Sequence, residues 1–260
     1  MRTIYTFLIL ASIALVSNEG YSQSLPSDST ASNPATKKQK KWKRSEWIVP
    51  ISLITTGGII AANKGANEYF FNNHEVREER NNHFKNFSTH ADNYLQYAPA
   101  AAVFALRLGG IKGKHDIANQ TALFIKSELL MTAIVFPTKK IVGEPRPDTG
   151  AKNSFPSGHT AQAFAAATFL AKEYGHKNIL YSIGAYTVAT GVAAFRVLNN
   201  RHWLSDVIAG AGVGILSTNI VYATHQYKWG KSKKTARNGT LSVTPTYGNR
   251  TTGLYLNYKF

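Results

Sequence analysis

The sequence predicts an all-α protein, a helical bundle of about six core helices, with a short C-terminal β-hairpin. Six apolar stretches carry the first part of that expectation. They lie at about 47–63, 93–109, 117–137, 160–173, 178–195 and 203–225, and they are long and rich in Ala, Leu and Ile. Gly, Pro, Asn and charge clusters stand between them, where helices start and stop. The hairpin rests on a change of period after Gly239. Leu241, Val243, Leu254, Leu256, Tyr258 and Phe260 alternate with polar residues, and Gly248-Asn249 and Gly253 mark the connection.

In chain order, residues 1–22 read as an export signal. Arg2 gives a positive start, residues 4–16 are apolar and uncharged, and small residues follow at Ser17, Gly20 and Ser22. The apolar run is too short for an ordinary spanning helix. Residues 23–46 read as a flexible basic linker, because their Ser, Thr, Asn, Pro and Lys bury too little apolar surface to order the chain. Its end holds Lys37, Lys38, Lys40, Lys41, Lys43 and Arg44 beside Trp42 and Trp47, a mixture that suits an anionic membrane surface. A solvated tail is the plainer alternative. Residues 47–230 form the helical domain, and residues 239–260 the hairpin. Between the first two apolar stretches, residues 64–92 are polar. They read as a helical or irregular connector whose charges (His74, Glu75, Arg77, Glu78, Glu79 and Arg80) form a solvated face.

The 260 residues carry a net charge of +16 and no cysteine. Thiol nucleophiles, disulfides and cysteine-bound metals are therefore excluded. The positive surplus favours polyanionic partners. No nucleic-acid-binding module is present, so nucleic acid is not the expected partner. Mean hydropathy is slightly negative, at −0.21, and Lys126 and Glu128 interrupt the third apolar stretch. An exported N-terminus would also leave the basic cluster outside, against the positive-inside tendency. These features favour a helical bundle exported to the cell envelope and membrane-associated over a protein with six spans.

Three separated blocks carry candidate chemistry. The third holds Arg196, His202 and Asp206. His202 and Asp206 are four residues apart at the start of a helical stretch, so they share a face. A carboxylate there fixes the imidazole tautomer and frees the other nitrogen to attack. Arg196, expected in the loop entering that helix, has the planar fork that fits phosphoryl oxygens. The second block is Pro156-Ser157-Gly158-His159, just ahead of the helix expected from Thr160. Exposed N–H groups at a helix start bind anions, and glycine lets the backbone come close. Ser157 can donate to a phosphoryl oxygen or simply cap the helix, and His159 can protonate a leaving alkoxide. The first block gives Lys139 and Arg146, with Pro145 and Pro147 making an extended turn. Taken singly, each block has a bland reading as surface or cap.

Together they do not. Lys139, six residues, Arg146-Pro147; Pro-Ser-Gly-His at 156–159; Arg196, five residues, His202, three residues, Asp206: the order and spacing resemble the signature of the phosphatidic acid phosphatase type 2 superfamily. That resemblance covers roughly 47–225 and implies an acid phosphatase/haloperoxidase-like helical fold. It implies His202 as nucleophile through a phosphohistidine, Asp206 as its orienting partner, and His159 as acid and then base. It implies Lys139, Arg146, Ser157, Gly158 and Arg196 as phosphate-binding groups, with no metal or other cofactor. Apolar helices beside the site and a basic surface favour a lipid phosphate or diphosphate as substrate, such as phosphatidate, phosphatidylglycerophosphate, undecaprenyl diphosphate or lipid A, and the export signal places its hydrolysis in the periplasm. A small soluble phosphomonoester, a vanadate-dependent haloperoxidase and a non-enzymatic lipid-phosphate-binding envelope protein are the alternatives. One departure stands out. Phe195 occupies the position where the family usually has Ser, which removes one phosphate hydrogen bond.

Overall fold

A computed structural model describes residues 44–63, 72–226, 240–248 and 251–259. The expected export signal and all but the end of the basic linker fall outside the described residues. The chain divides into a helical unit ending at His225 and a second unit beginning at Gln226.

Eight helices build the described part of the first unit: α1 Ser45–Ala62, α2 Asn73–His83, α3 Ala91–Leu95, α4 Ala98–Leu108, α5 Ile117–Val142, α6 Gly158–Tyr174, α7 Ile179–Leu198 and α8 Leu204–Thr224. Side-chain caps start four of them. Asn72, Asp116, Ser157 and Asn178 accept from the backbone N–H of His74, Asn119, Thr160 and Leu180. All six predicted stretches are helical, with three corrections. The second is broken after Leu95, and Pro99 opens the new helix, where its missing N–H costs nothing. The third runs through Pro137 to Val142 and stops at Gly143, whose φ of 60° is left-handed. The polar connector contains the regular helix α2, and two of its charges are not a solvated face. Arg80 is buried and donates to the Leu198 carbonyl at 2.9 Å. Arg77 donates to the Pro147 carbonyl at 2.9 Å and lies 5.3 Å over the Trp203 ring.

Helix α8 is the axis. It packs on α1, α5 and α6, and glycine permits the approach. A Cβ on Gly210 would stand 2.6 Å from the Ser157 carbonyl oxygen, and one on Gly212 would stand 2.7 Å from that of Pro50. The main core joins Ala163, Ala166, Ala167 and Phe169 of α6 to Ala189 and Val192 of α7, with Val103, Leu123 and Tyr222 closing it. Helices α1, α5 and α8 are long and apolar enough to cross a membrane. In the second unit, Thr240–Gly248 (β1) and Thr251–Lys259 (β2) pair antiparallel, from Thr240 opposite Lys259 to Gly248 opposite Thr251.

Candidate functional site

Asp206, on the first turn of α8, is fully buried, and one of its carboxylate oxygens gathers three donors. Oδ2 lies 3.2 Å from His202 Nδ1, 2.9 Å from the Trp203 N–H and 2.5 Å from the Ser154 hydroxyl. An ionised carboxylate only accepts, so Nδ1 of His202 carries its proton toward Asp206 and Nε2 keeps its lone pair. Burial pushes His202 down to about 4, against the opposite pull of Asp206. The backbone carbonyl of Asp206 accepts the Ser157 N–H at 2.9 Å, which straps the second block to the third.

Ser157 caps α6. Its hydroxyl oxygen accepts from the Thr160 N–H at 3.4 Å and from the Thr160 hydroxyl at 3.0 Å, the role its sequence position left open beside phosphate binding. Gly158 follows with room on its open side, since a Cβ there would meet Val135 Cγ1 at 3.9 Å. His159, half-buried, places Nε2 2.9 Å from Asn93 Oδ1. Burial pushes it down to about 4, reinforced by the charges of Arg196, Arg146 and Lys139 and opposed by Asp92.

Three cations surround this pair of histidines. Arg196 is in the last turn of α7, not in the loop expected for it, because the helix continues to Leu198. It is buried, and one terminal nitrogen meets Asp92 Oδ2 at 2.7 Å. Its Nε is buried without a hydrogen-bond partner. Lys139, on the last turn of α5, donates to the carbonyls of Asn153 at 2.7 Å and Ser154 at 3.0 Å. Arg146 gives Nε–H to Asn153 Oδ1 at 2.7 Å, and burial followed by repulsion from Arg196 lowers its pKa. Lysine carries three donors and arginine five, so each cation keeps donors beyond these bonds. The adjacent Lys140 is exposed.

The PAP2 superfamily model matches residues 120–230, which contain all three blocks. Over this stretch the chain is similar to the PAP2 superfamily. A Lipid A 1-phosphatase of Porphyromonas gingivalis is 41% identical to the chain over 150 residues, 56% of this chain and 33% of that protein. The chain thus spans about a third of the length of the curated relative it matches. Two solved structures are similar. The LpxE of Aquifex aeolicus has 24% identity, a TM-score of 0.43, and coverage of 61% of this chain and 99% of its own. The transmembrane PAP2-type phosphatidylglycerolphosphate phosphatase of Bacillus subtilis has 22% identity, a TM-score of 0.42, and coverage of 67% and 94%.

All eight predicted site residues of the PAP2 segment sit on the α5 end, the loop after it, the α6 start, the α7 end and the α8 start. Lys139 and Arg196 act electrostatically on both histidines. Four further residues complete the arrangement. Ser154 shares the Asp206 carboxylate, Asn153 holds Lys139 and Arg146, Asp92 holds Arg196, and Asn93 holds His159. Asp92 and Asn93 precede the PAP2 segment, and neither carried a signal in the sequence. Phe195 stacks on Phe87, with centroids 6.0 Å apart and planes 23° from parallel. Its departure from the PAP2 pattern is thus a packing contact.

Proposed function

We propose that the chain is a metal-independent phosphatase acting on a lipid phosphate or diphosphate through a phosphohistidine. The observation that carries the reading is the buried His202, held at Nδ1 by Asp206, with the charges of Lys139 and Arg196 acting on it and those of Lys139, Arg146 and Arg196 on His159. In the first step, His202 Nε2 attacks phosphorus. The bond to the leaving oxygen breaks, and His159 gives that oxygen a proton. In the second step, His159 takes a proton from water as the water oxygen attacks phosphorus. The P–N bond breaks, inorganic phosphate leaves, and His202 is restored. The spare donors of the three cations, the Ser157 hydroxyl and the Gly158 amide would stabilise the equatorial oxygens.

A lipid substrate is supported by the outer faces of α1 and α5, where Ile48, Ile51, Ile59, Ile125, Leu129 and Phe136 are exposed, and by the family. The name of the Porphyromonas gingivalis relative makes lipid A carrying a 1-phosphate the first substrate to test. In this reading the protein is exported to the envelope and works at the periplasmic membrane surface. The test is phosphate release by purified protein in EDTA, in detergent, from lipid A, phosphatidate, undecaprenyl diphosphate and p-nitrophenyl phosphate. We expect a lipid to be preferred and His202→Ala to lose at least about a thousandfold in kcat. Release that survives His202→Ala removes the nucleophile, and dependence on added metal removes the mechanism. Preference for the soluble ester removes the lipid.

A further inference from the structure

Two adjacent residues of the five-residue helix α3 each reach a different part of the site. Asp92 pairs with Arg196 across 104 residues of sequence, and Asn93 meets His159 across 66. Asp92 is buried and Asn93 exposed, so the turn reaches from the interior to the surface beside the site. The contact of Asn93 with His159 has a chemical consequence. A carboxamide oxygen only accepts, so at 2.9 Å from Nε2 it requires the ring proton to be on Nε2. The neutral ring then has its lone pair on Nδ1.

We propose that Asn93 is a positioning residue that fixes the tautomer of His159, making Nδ1 the nitrogen that exchanges a proton with the leaving oxygen and then with water. The inference rests on the phosphatase reading for its kinetics and on geometry alone for its tautomer. In the cationic ring both nitrogens carry protons. Nε2–H stays on Asn93 and Nδ1–H passes to the leaving group. The neutral ring that remains is the Nε2–H tautomer, with Nδ1 ready to accept the proton of the attacking water. No rotation of the ring is needed between the two steps. A neutral amide suits this position. The charged groups acting on His159 are Arg196, Arg146 and Lys139 on one side of the balance and Asp92 on the other. A second carboxylate in place of Asn93 would hold the proton more tightly.

The kinetic test compares n-octyl phosphate, whose alkoxide must be protonated to leave, with p-nitrophenyl phosphate, whose phenolate leaves without a proton. Asn93→Leu is expected to lower kcat for the octyl ester at least about tenfold more than for the nitrophenyl ester, within the range general acids contribute. Asn93→Asp is expected to restore the octyl rate and move the alkaline limb of its pH profile upward. In a His159→Ala background, Asn93→Leu is expected to have no further effect. Equal losses on both esters, or additive losses in the double variant, overturn the inference. Nitrogen NMR shifts of His159 read the tautomer without turnover. The expected wild-type ring is protonated on Nε2, with both tautomers present in Asn93→Leu. A neutral wild-type ring protonated on Nδ1 overturns the inference whatever the activity. An Nε2–H ring in a protein whose phosphate release does not depend on His202 instead overturns the phosphatase reading and leaves the role of Asn93 standing.

Discussion

In the proposed mechanism His202 and His159 need opposite protonation states at the moment of reaction, and their surroundings treat them alike. Burial and nearby cations push both down to about 4. For His202 this is helpful, because its neutral, attacking form dominates as pH rises through about 4. For His159 it is a cost, because the acid form declines over the same range. A bound phosphoryl dianion would offset the charges of Arg196, Arg146 and Lys139 and raise His159 again. The rate should therefore be bell-shaped in pH, with the alkaline limb of kcat lying above that of kcat/KM. Coincident limbs in full profiles of both constants would show that substrate leaves the pKa of His159 where it is. At this scale the sequence was legible where chemistry depends on short spacings. His202 stands in the turn just before α8 and Asp206 four residues on in its first turn, and Ser157 to His159 open α6. It was silent where partners are remote. Ser154 reaches Asp206 across 52 residues and Asp92 reaches Arg196 across 104, and such pairs leave no periodic trace.

The helices were legible from apolar runs and punctuation, and their ends were not. Helix α5 passes Pro137 and carries Lys139 on its last turn, and α7 reaches Leu198 and carries Arg196. Both cations therefore stand on regular backbone and are not in loops. Helix α2 has too few apolar residues to announce itself, and it is fixed by Arg77 and Arg80 bonding to carbonyls. A close inter-helix contact beside the site lies between α8 and the start of α6. Gly210→Ala puts a Cβ 2.6 Å from the Ser157 carbonyl, so one backbone must move. An overpacked position costs about 1–3 kcal/mol, and this one also displaces the strap between Ser157 and Asp206. A lower melting temperature and a fall in kcat of at least about tenfold are expected. Gly58→Ala in α1, with nothing within 4 Å of its Cβ, is the control and should leave both intact. If the two variants behave alike, close packing at Gly210 is not what positions the site.

For the whole molecule, hydropathy alone does not separate the apolar helices that are exposed from the one that is buried. Helix α8 has the highest value of the three long apolar helices, 1.5, yet 72% of its apolar window is buried. Helices α1 and α5, at 1.4 and 1.3, have 17% and 22% of theirs buried. A bundle core and a lipid-facing surface draw on the same residues, so composition could not separate them. Charge makes the complementary contribution, with +16 overall available to an anionic surface. The expected behaviour on fractionation is retention in the membrane through a high-salt wash and release by detergent. Release by salt alone would reduce the attachment to electrostatics.

The hydrogen bond from the Ser157 N–H to the Asp206 carbonyl makes one mechanical part of two segments that are distant in sequence. The turn bearing His159 and the helix bearing the partner of His202 cannot separate without breaking it. A shift of either segment draws the other with it as long as the bond holds. The loop between Lys139 and Ser154 is tied on by Arg77 to the Pro147 carbonyl, Trp203 to the Pro145 carbonyl and Arg201 to the Asp148 carboxylate. Remodelling of that loop would move Arg146 and Asn153 while the strap kept His159 and Asp206 in register.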